Sequence, residues 1–168
     1  NAILGLTQLS SLAGDPADRS RYVLGVQREA LPNEGGAGRG GSALMFRAFR
    51  PGRKIFISRP RNHFPLHEDA SHSLLLAGGI GITPLLSMAR RLHALGRPFE
   101  LHYSAASRRA AGFVSELLAA PWCDRVHLHF SDEGTRAELA SIVPAHEAGR
   151  HLYACGSAAY MDAAFAAA

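Results

Sequence analysis

Apolar and polar positions change their pattern near residue 67. Downstream, short apolar runs predict strands over residues 73–77, 99–104, 126–131 and 151–155. Amphipathic stretches between and after them predict helices over residues 84–95, 109–119, 135–142 and from 158 onward. Regular alternation of strands and helices is typical of a parallel sheet covered by helices on both faces. This half of the chain is therefore predicted to have an α/β fold.

Upstream of residue 67, the pattern favours antiparallel β structure. Apolar, β-branched runs predict strands over residues 21–29 and 54–60, separated by the glycine- and proline-rich "LPNEGGAGRGGS" and "RPG". The change of pattern predicts two domains, residues 1–66 and residues 67–168.

Composition limits the kinds of protein to consider. The chain has 168 residues, 47% of them hydrophobic, which is enough for a buried core. No run approaches the roughly 20 apolar residues of a membrane span, and the start "NAILGLTQLSSLAGD" lacks a secretion pattern, so we expect a soluble, cytoplasmic protein without membrane partners. The net charge of +4 comes from scattered arginines without interleaved aromatics, which disfavours nucleic acid as a partner.

Cysteines and histidines predict neither disulfides nor a metal site. Cys123 and Cys155 fall in different predicted elements, without a CxxC or Cys/His cluster, and are expected to be free thiols. His127 and His129 share one face of a predicted strand, but no third ligand stands at a usable spacing. We therefore predict solvated or core histidines and no metal.

The glycines of "AGGIGITP" come directly after a predicted buried strand and directly before a predicted helix. Ligand crevices form at this end of the strands of a parallel sheet. Backbone without Cβ atoms admits a pyrophosphate, and the start of a helix favours its charge. Thr83 is expected to cap that helix, with Pro84 at its first position and Gly96 at its end.

The alternative to a pyrophosphate site is a tight turn that needs glycine only for packing. The GGxGxxP spacing departs from GxGxxG, and no acid follows about 20 residues on, so a standard Rossmann site is not predicted.

Two further motifs are candidates for cofactor contact. "YACGS" ends the last predicted strand and would bring Cys155 and Gly156 to the same sheet edge, where a thiol beside a glycine can touch a flat ring; a buried structural cysteine is the alternative. "GRGGS", residues 38–42, precedes a helix-compatible stretch and is a second potential phosphate or flavin cradle, with a flexible surface loop as the alternative.

Together, "GRGGS", "SRPRNHFPL", "LLLAGGIGITPLLSMARRL" and "YACGS..YMDA" resemble the reductase components of Rieske-type oxygenases, the phthalate dioxygenase reductase and vanillate O-demethylase reductase family of the ferredoxin–NADP reductase superfamily. The resemblance runs from about residue 11 to the end of the sequence. It implies a flavin-binding β-barrel, here partial, followed by an NAD(P)-binding α/β domain. The implied activity is an NAD(P)H-dependent flavin oxidoreductase that passes electrons to an iron–sulfur centre.

The resemblance also implies residue roles. The dinucleotide phosphates would be held by Gly78, Gly79, Gly81, Thr83 and Pro84; the nicotinamide would lie near Cys155 and Gly156; the flavin would contact Arg39, Gly40, Gly41 and Ser42. The "PRNHFPL" connection is expected to pack rather than react. No acid or base is needed, because hydride transfer between bound rings depends on the orientation of the cofactors.

The family's flavin motif is Arg-x-Tyr-Ser, whereas the matching place here reads "QLSSL". Gln8 and Ser10 replace the arginine and tyrosine, which leaves Ser11 as the predicted flavin contact. The flavin is expected to be FMN, with FAD as the alternative.

The choice between NADH and NADPH stays open. Ser107, Arg108 and Arg109 are positioned in the sequence to accept a 2′-phosphate, and the segment after the second strand offers no carboxylate for a free 2′-OH, which slightly favours tolerance of NADPH.

No C-x4-C-x2-C spacing is present, so a 2Fe–2S cluster is expected only on a further domain or on another protein. The partner would be a ferredoxin domain or an oxygenase component, in an assembly of unpredicted size. The rival hypothesis is a degenerate dinucleotide-binding module without a functional flavin site.

Overall fold

A computed structural model describes residues 10–15, 17–18, 20–28, 40–57, 61–143, 145 and 147–168. The strands in this part of the chain are β1 (Ser10–Leu12), β2 (Leu24–Val26), β3 (His72–Gly78), β4 (Phe99–Ala105), β5 (Val126–Phe130) and β6 (Arg150–Cys155). The α-helices are α1 (Gly41–Ala48), α2 (Ile82–Ala94), α3 (Val114–Ala119), α4 (Leu139–Ile142) and α5 (Ala158–Ala167).

The downstream half is built on a four-stranded parallel sheet with strand order β5-β4-β3-β6. The central strand β3 is buried along residues 73–77, which explains why its sequence is a continuous apolar run rather than an alternating one. Each strand coincides with a predicted one to within about a residue at either end. The predicted α/β fold with a parallel sheet is confirmed.

Helices cover both faces of the sheet. On one face, Leu85 and Leu92 of α2 and Leu117 of α3 are fully buried with Leu75 and Leu101 of the central strands. On the other, Ala164 of α5 is buried with Leu74 and Leu76, and Leu139 and Ile142 of α4 pack at their edge. Two layers of helices therefore fix the strand ends where the candidate site lies.

Upstream, β1 and β2 form an antiparallel pair that lies against the first face. Ala13, directly after β1, is fully buried in the same core as α2, and Val23 packs beside it. Strand β2 lies inside the predicted strand 21–29. In contrast, described residues 54–57 of the predicted strand 54–60 are not in a strand, and Phe56 is 97% exposed. The predicted partial barrel is not confirmed, and the two-domain division stays a prediction.

The structure corrects three helix starts. Helix α2 begins at Ile82, so Thr83 lies inside its first turn, and Gly81 takes the N-cap position. The Thr135 and Glu138 pair has capping-box spacing, but α4 begins only at Leu139, because the Thr135 hydroxyl accepts the Phe130 N–H at 2.9 Å instead. The predicted helix 109–119 likewise begins only at Val114. Gly96, with φ of +66°, follows the end of α2 as predicted.

The connection between the two halves packs as expected. Phe64 meets Tyr153 edge to face with ring centroids 5.9 Å apart, and Leu66 lies against the same core. The His67 backbone N–H donates a hydrogen bond to the Tyr153 hydroxyl at 2.9 Å. Among the described residues, no helix is both long and apolar enough to cross a membrane.

Candidate nucleotide site

The glycine turn after β3 lies against the carboxyl end of β6. A Cβ built on Gly81 would stand 2.0 Å from the Cys155 carbonyl oxygen and 2.8 Å from the Gly156 nitrogen, so only glycine fits there. Gly79 has φ of +55° and open space where its side chain would be. The packing explanation therefore accounts for Gly81, whereas Gly79 leaves bare backbone beside open space.

Gly78 and Gly156 pack on the ring of Tyr160 from α5. Added Cβ atoms would lie 2.8 Å and 2.9 Å from that ring. The Ser157 hydroxyl accepts the Tyr160 N–H at 3.3 Å and so caps α5, which fixes the helix that carries the ring. Burial raises the pKa of the Tyr160 hydroxyl. The Tyr160 ring thus packs against both glycine motifs.

Thr83 and Pro84 both lie in the first turn of α2, and Thr83 contacts the glycine turn before it. The Thr83 hydroxyl donates to the Ile80 carbonyl at 2.9 Å, and the side chain is 1% exposed. No acidic side chain lies in this first turn, which leaves the positive end of the helix uncompensated. The geometry suits an anion near the start of α2, while direct contact of the Thr83 hydroxyl with a phosphate stays a prediction.

Cys155 lies at the end of β6, beside the glycine turn. It is half-buried, and burial raises the pKa of its thiol, so the group is neutral near pH 7. An uncharged thiol and the adjacent Gly156 can line a flat ring without imposing a charge. The two motifs predicted to share one sheet edge do meet there.

The other motif, at the start of α1, is described in part. Gly40 is left-handed, with φ of +88°, and its carbonyl accepts the Leu44 N–H at 2.8 Å. Gly41 begins the helix with open space around it, Ser42 is buried, and the first turn carries no acid. Arg39 lies outside the described residues. Ser11 pairs with Gly25 in the β1–β2 ladder, and its contact with flavin stays a prediction.

Ser107 and Arg108 follow β4 at the same end of the sheet. The Ser107 hydroxyl accepts the Ala110 N–H at 3.1 Å and so holds the turn. Arg108 pairs with Glu133, which follows β5: its Nε donates to one carboxylate oxygen at 2.7 Å and an Nη donates to the other at 3.3 Å. A carboxylate therefore does stand at this edge, 25 residues beyond Arg108 and outside the segment that directly follows β4.

Three histidines, His102, His127 and His129, lie on one face of the sheet along β4 and β5. His102 stacks on His127 with ring centroids 4.5 Å apart, and its Nδ1 lies 3.1 Å from Nε2 of His129. Burial, and secondarily the two neighbouring imidazoles, lowers the pKa of His102 to about 4. Within the described part of the chain, no group of three histidine, cysteine or acidic side chains is arranged to hold a metal ion.

Sequence reasoning missed three residues of this region. Glu133 needed the neighbouring strands to be known, although the predicted parallel order made β4 and β5 candidates for neighbours. Tyr160 stood in the quoted "YMDA" but had no visible partner until α5 was packed. Gly25 of β2 was also overlooked: its added Cβ would be 2.2 Å from the Thr83 methyl group.

Comparison with known proteins identifies relatives of this arrangement. A phenoxybenzoate dioxygenase subunit beta from Ectopseudomonas oleovorans is 49% identical over 95% of this chain and 48% of its own length. The vanillate O-demethylase oxidoreductase of Pseudomonas putida is 40% identical over 94% of this chain and 48% of its own length. No family model matches the chain.

A solved structure of phthalate dioxygenase reductase, a modular protein for electron transfer from pyridine nucleotides to a 2Fe–2S cluster, matches with a TM-score of 0.84. It is 37% identical, and the match covers 94% of this chain and 48% of that one. The chain thus spans about half the length of the curated relatives it matches. The resemblance predicted from the motifs is confirmed: this chain is a homologue of oxygenase reductase subunits over about half of their length.

Proposed function

We propose that the protein takes electrons from NAD(P)H and passes them through a bound flavin to the iron–sulfur centre of an oxygenase or demethylase system. The observation that carries this proposal is the contact between the glycine turn and the end of β6, where Gly81 lies against the Cys155 carbonyl. That contact joins a phosphate-binding turn to a ring-lining motif in one crevice. Relatives over 94–95% of the chain are oxygenase subunits or reductases, which supports the same reaction class.

In this proposal, the dinucleotide lies across the carboxyl ends of the sheet. Gly79 offers bare backbone, Gly78 and Gly81 keep the turn close to β6, and the start of α2 supplies positive charge through its dipole. Thr83 and Pro84 maintain the shape of the turn. Cys155 and Gly156 then lie at the nicotinamide, where a neutral thiol orients the ring by contact and takes no part in proton transfer.

The start of α1 would hold the flavin, through Gly40, Gly41 and Ser42 with Arg39 before them. Left-handed Gly40 and the acid-free first turn of α1 fit an anionic phosphate, since first-turn N–H groups have no partner within the helix. FMN is the proposed flavin and FAD the alternative. When bound, the flavin supplies the conversion of a two-electron hydride into single electrons, which no side chain provides.

The proposed acceptor is a 2Fe–2S centre on a ferredoxin domain or an oxygenase component. The proposed compartment is the cytoplasm. The rival function is dinucleotide binding without flavin, and the two differ in one observable property, the presence of a reducible flavin.

The first test is optical. We expect the purified protein to be yellow, or to become yellow with FMN, and to be bleached by NADH or NADPH under anaerobic conditions. Chromatography of the released flavin identifies FMN or FAD. A protein that stays colourless with both flavins would refute the proposed function and leave the rival.

The second test addresses the nucleotide site. Gly79→Asp places a carboxylate in the crevice, and the charge repulsion should weaken NADH binding by about tenfold relative to Gly79→Asn, which also tolerates a left-handed backbone. Gly96→Asp is the matched control, because Gly96 has φ of +66° and open space at the opposite end of α2. Equal binding by all three variants would remove the glycine turn from the nucleotide site.

A further inference from the structure

Arg90 lies in the second half of α2 and joins this helix to two other elements. Its Nη1 donates a hydrogen bond to the Ala13 carbonyl directly after β1, and its Nη2 donates to the Glu116 carboxylate of α3. The Arg90 side chain is 21% exposed, whereas the next residue, Arg91, is 44% exposed and pairs with Glu68. Of these two neighbouring arginines, Arg90 is thus the one enclosed between α2, α3 and the upstream strand pair.

The Ala13 carbonyl is the backbone group that Arg90 holds. Ala13 is fully buried, and its N–H donates to the Val23 carbonyl at 2.9 Å, which extends the β1–β2 ladder by one residue. A buried carbonyl that loses its partner costs free energy comparable to a lost hydrogen bond, and a charged donor strengthens the bond. Removal of the guanidinium should therefore loosen the end of β1 from α2.

The strand pair meets α2 at a second point, near the start of the helix. A Cβ on Gly25 would stand 2.2 Å from the Thr83 methyl group and 3.4 Å from the Phe113 ring at the N-cap of α3. Thr83 and Arg90 are about two helical turns apart, or roughly 10 Å along α2. A close apolar contact has no preferred direction, whereas a hydrogen bond does. The Gly25 contact thus sets the distance between strand pair and helix, and the Arg90 contact sets the angle.

Both points bear on the positions of the proposed cofactors. Ser11, the predicted flavin contact, pairs with Gly25 in the ladder and lies close before Ala13 in the chain. The start of α2 is the proposed phosphate site. A change in the angle between β1 and α2 would therefore move a bound flavin relative to a bound nicotinamide, and transfer between two rings requires close alignment.

We propose that Arg90 is a positioning residue, which fixes the orientation of the β1–β2 pair on α2 and thereby the approach of the flavin to the nicotinamide. Glu116 holds the guanidinium from α3. The planar fork of an arginine serves two acceptors at once, which a lysine ammonium group does less well. This inference rests on the proposed function, since only a protein that binds both cofactors has two rings to align.

The first measurement is hydrogen exchange of the full chain without added cofactor, read by mass spectrometry over residues 10–15. Arg90→Gln should speed exchange in this segment by about tenfold, the usual effect of losing one hydrogen bond to a charged group. The β3 segment, in the centre of the parallel sheet, should keep its wild-type rate. Arg91→Gln is the matched control, because Arg91 binds both carboxylate oxygens of Glu68, at 2.7 Å and 2.9 Å, and should leave both segments unchanged.

The second measurement is the rate of anaerobic bleaching of the bound flavin by NADH. In Arg90→Gln, the rate constant at saturating NADH should fall at least about tenfold, since a displacement of about 1 Å can cost a hundredfold. The NADH concentration for half-maximal rate should stay within about twofold of the wild-type value, because the glycine turn is intact. Arg90→Lys keeps the charge and should give an intermediate rate constant. A residue that only stabilised the fold would lower the yield of yellow protein and leave the rate constant per flavin unchanged.

Several results would overturn the inference. These are unchanged exchange over residues 10–15 in Arg90→Gln, an equal rise in Arg91→Gln, or faster exchange with a wild-type bleaching rate. If Arg90→Gln does not fold, Glu116→Gln removes the second partner of the guanidinium and should shift exchange and bleaching in the same directions by smaller factors; no shift in either would be equally decisive against it. A wild-type protein that takes up no flavin would refute the proposed function and the inference with it, whereas a wild-type protein that bleaches normally confines any failure to the inference.

Discussion

Acid should destabilise this fold through one buried imidazole. His102 is 8% exposed and lies on β4 against His127 and His129. Burial is the largest cause that lowers its pKa to about 4; the two neighbouring imidazoles act in the same direction, and Glu100 opposes them. In the unfolded chain the same imidazole has an ordinary pKa of 6.5. Between these values the unfolded state binds a proton that the folded state excludes.

The sign and size of the effect follow from that difference. Because the folded pKa lies below the unfolded one, the His102 contribution is fully present above pH 6.5. It is lost as the pH falls and reaches its limit near pH 4. A fall from 6.5 to about 4 corresponds to roughly 3 kcal/mol, since each pH unit is worth about 1.4 kcal/mol per proton.

Urea unfolding at several pH values from 4 to 8 measures this loss, with fluorescence of the single tryptophan, Trp122, as the probe. Trp122 is 4% exposed and packs on Phe99 on the opposite face of the sheet, so it reports unfolding without contacting the imidazoles. His102→Gln should flatten the dependence of the unfolding free energy on pH between 4 and 6.5 by close to one proton. The matched control, His127→Gln, removes an exposed imidazole from the same row and should retain most of the wild-type slope, because burial, the largest cause of the lowered His102 pKa, remains.

A wild-type slope that persists in His102→Gln would refute this reasoning, because the proton uptake would then belong to other groups. An equal loss of slope in both variants would assign it to the imidazole row as a whole instead of to the buried ring.

Two further predictions follow from the packing and the thiols. Gly25→Ala should lower the unfolding free energy by about 1–3 kcal/mol in urea titrations, because its Cβ would stand 2.2 Å from the Thr83 methyl group. Gly112→Ala, with open space around it, should leave that energy near the wild-type value, and equal losses would contradict the packing argument. Exposed Cys123 should react with an aromatic disulfide reagent at pH 7.5 at least about tenfold faster than half-buried Cys155, whose thiol pKa is raised. Fast labelling that survives Cys123→Ser would show that Cys155 is more accessible than its burial indicates.

The four strands of the parallel sheet were predictable because each has a short stretch rich in apolar residues, and β3 is almost entirely apolar since both of its faces are covered. The meeting of the glycine turn with Cys155 followed from the rule that parallel strands end at one edge. Helix starts were less predictable, since the Thr135 hydroxyl could serve either a cap or the Phe130 backbone, and only the folded strand decides between them.

Contacts between distant segments could not be predicted from local patterns. Glu133 meets Arg108 because β5 happens to be the neighbour of β4, and Gly25 meets Thr83 because the β1–β2 pair lies on α2. Neither contact produces a hydrophobic or polar periodicity that could be recognised in the sequence. Described residues 54–57 of the expected strand 54–60 are not in a strand for a related reason, since an apolar run forms a strand only where other backbone pairs with it.

Gly25 also lets β2 approach the first turn of α2 closely, because it has no side chain. In the proposed reaction, the upstream half carries the flavin and the first turn of α2 carries the dinucleotide, and β2 touches that turn through a residue without a side chain. Any added atom at this point would wedge the two halves apart, and a displacement of about 1 Å between reacting groups can reduce a rate by about a hundredfold. In that proposed reaction, the separation of the two rings would be set partly at a glycine that binds neither of them.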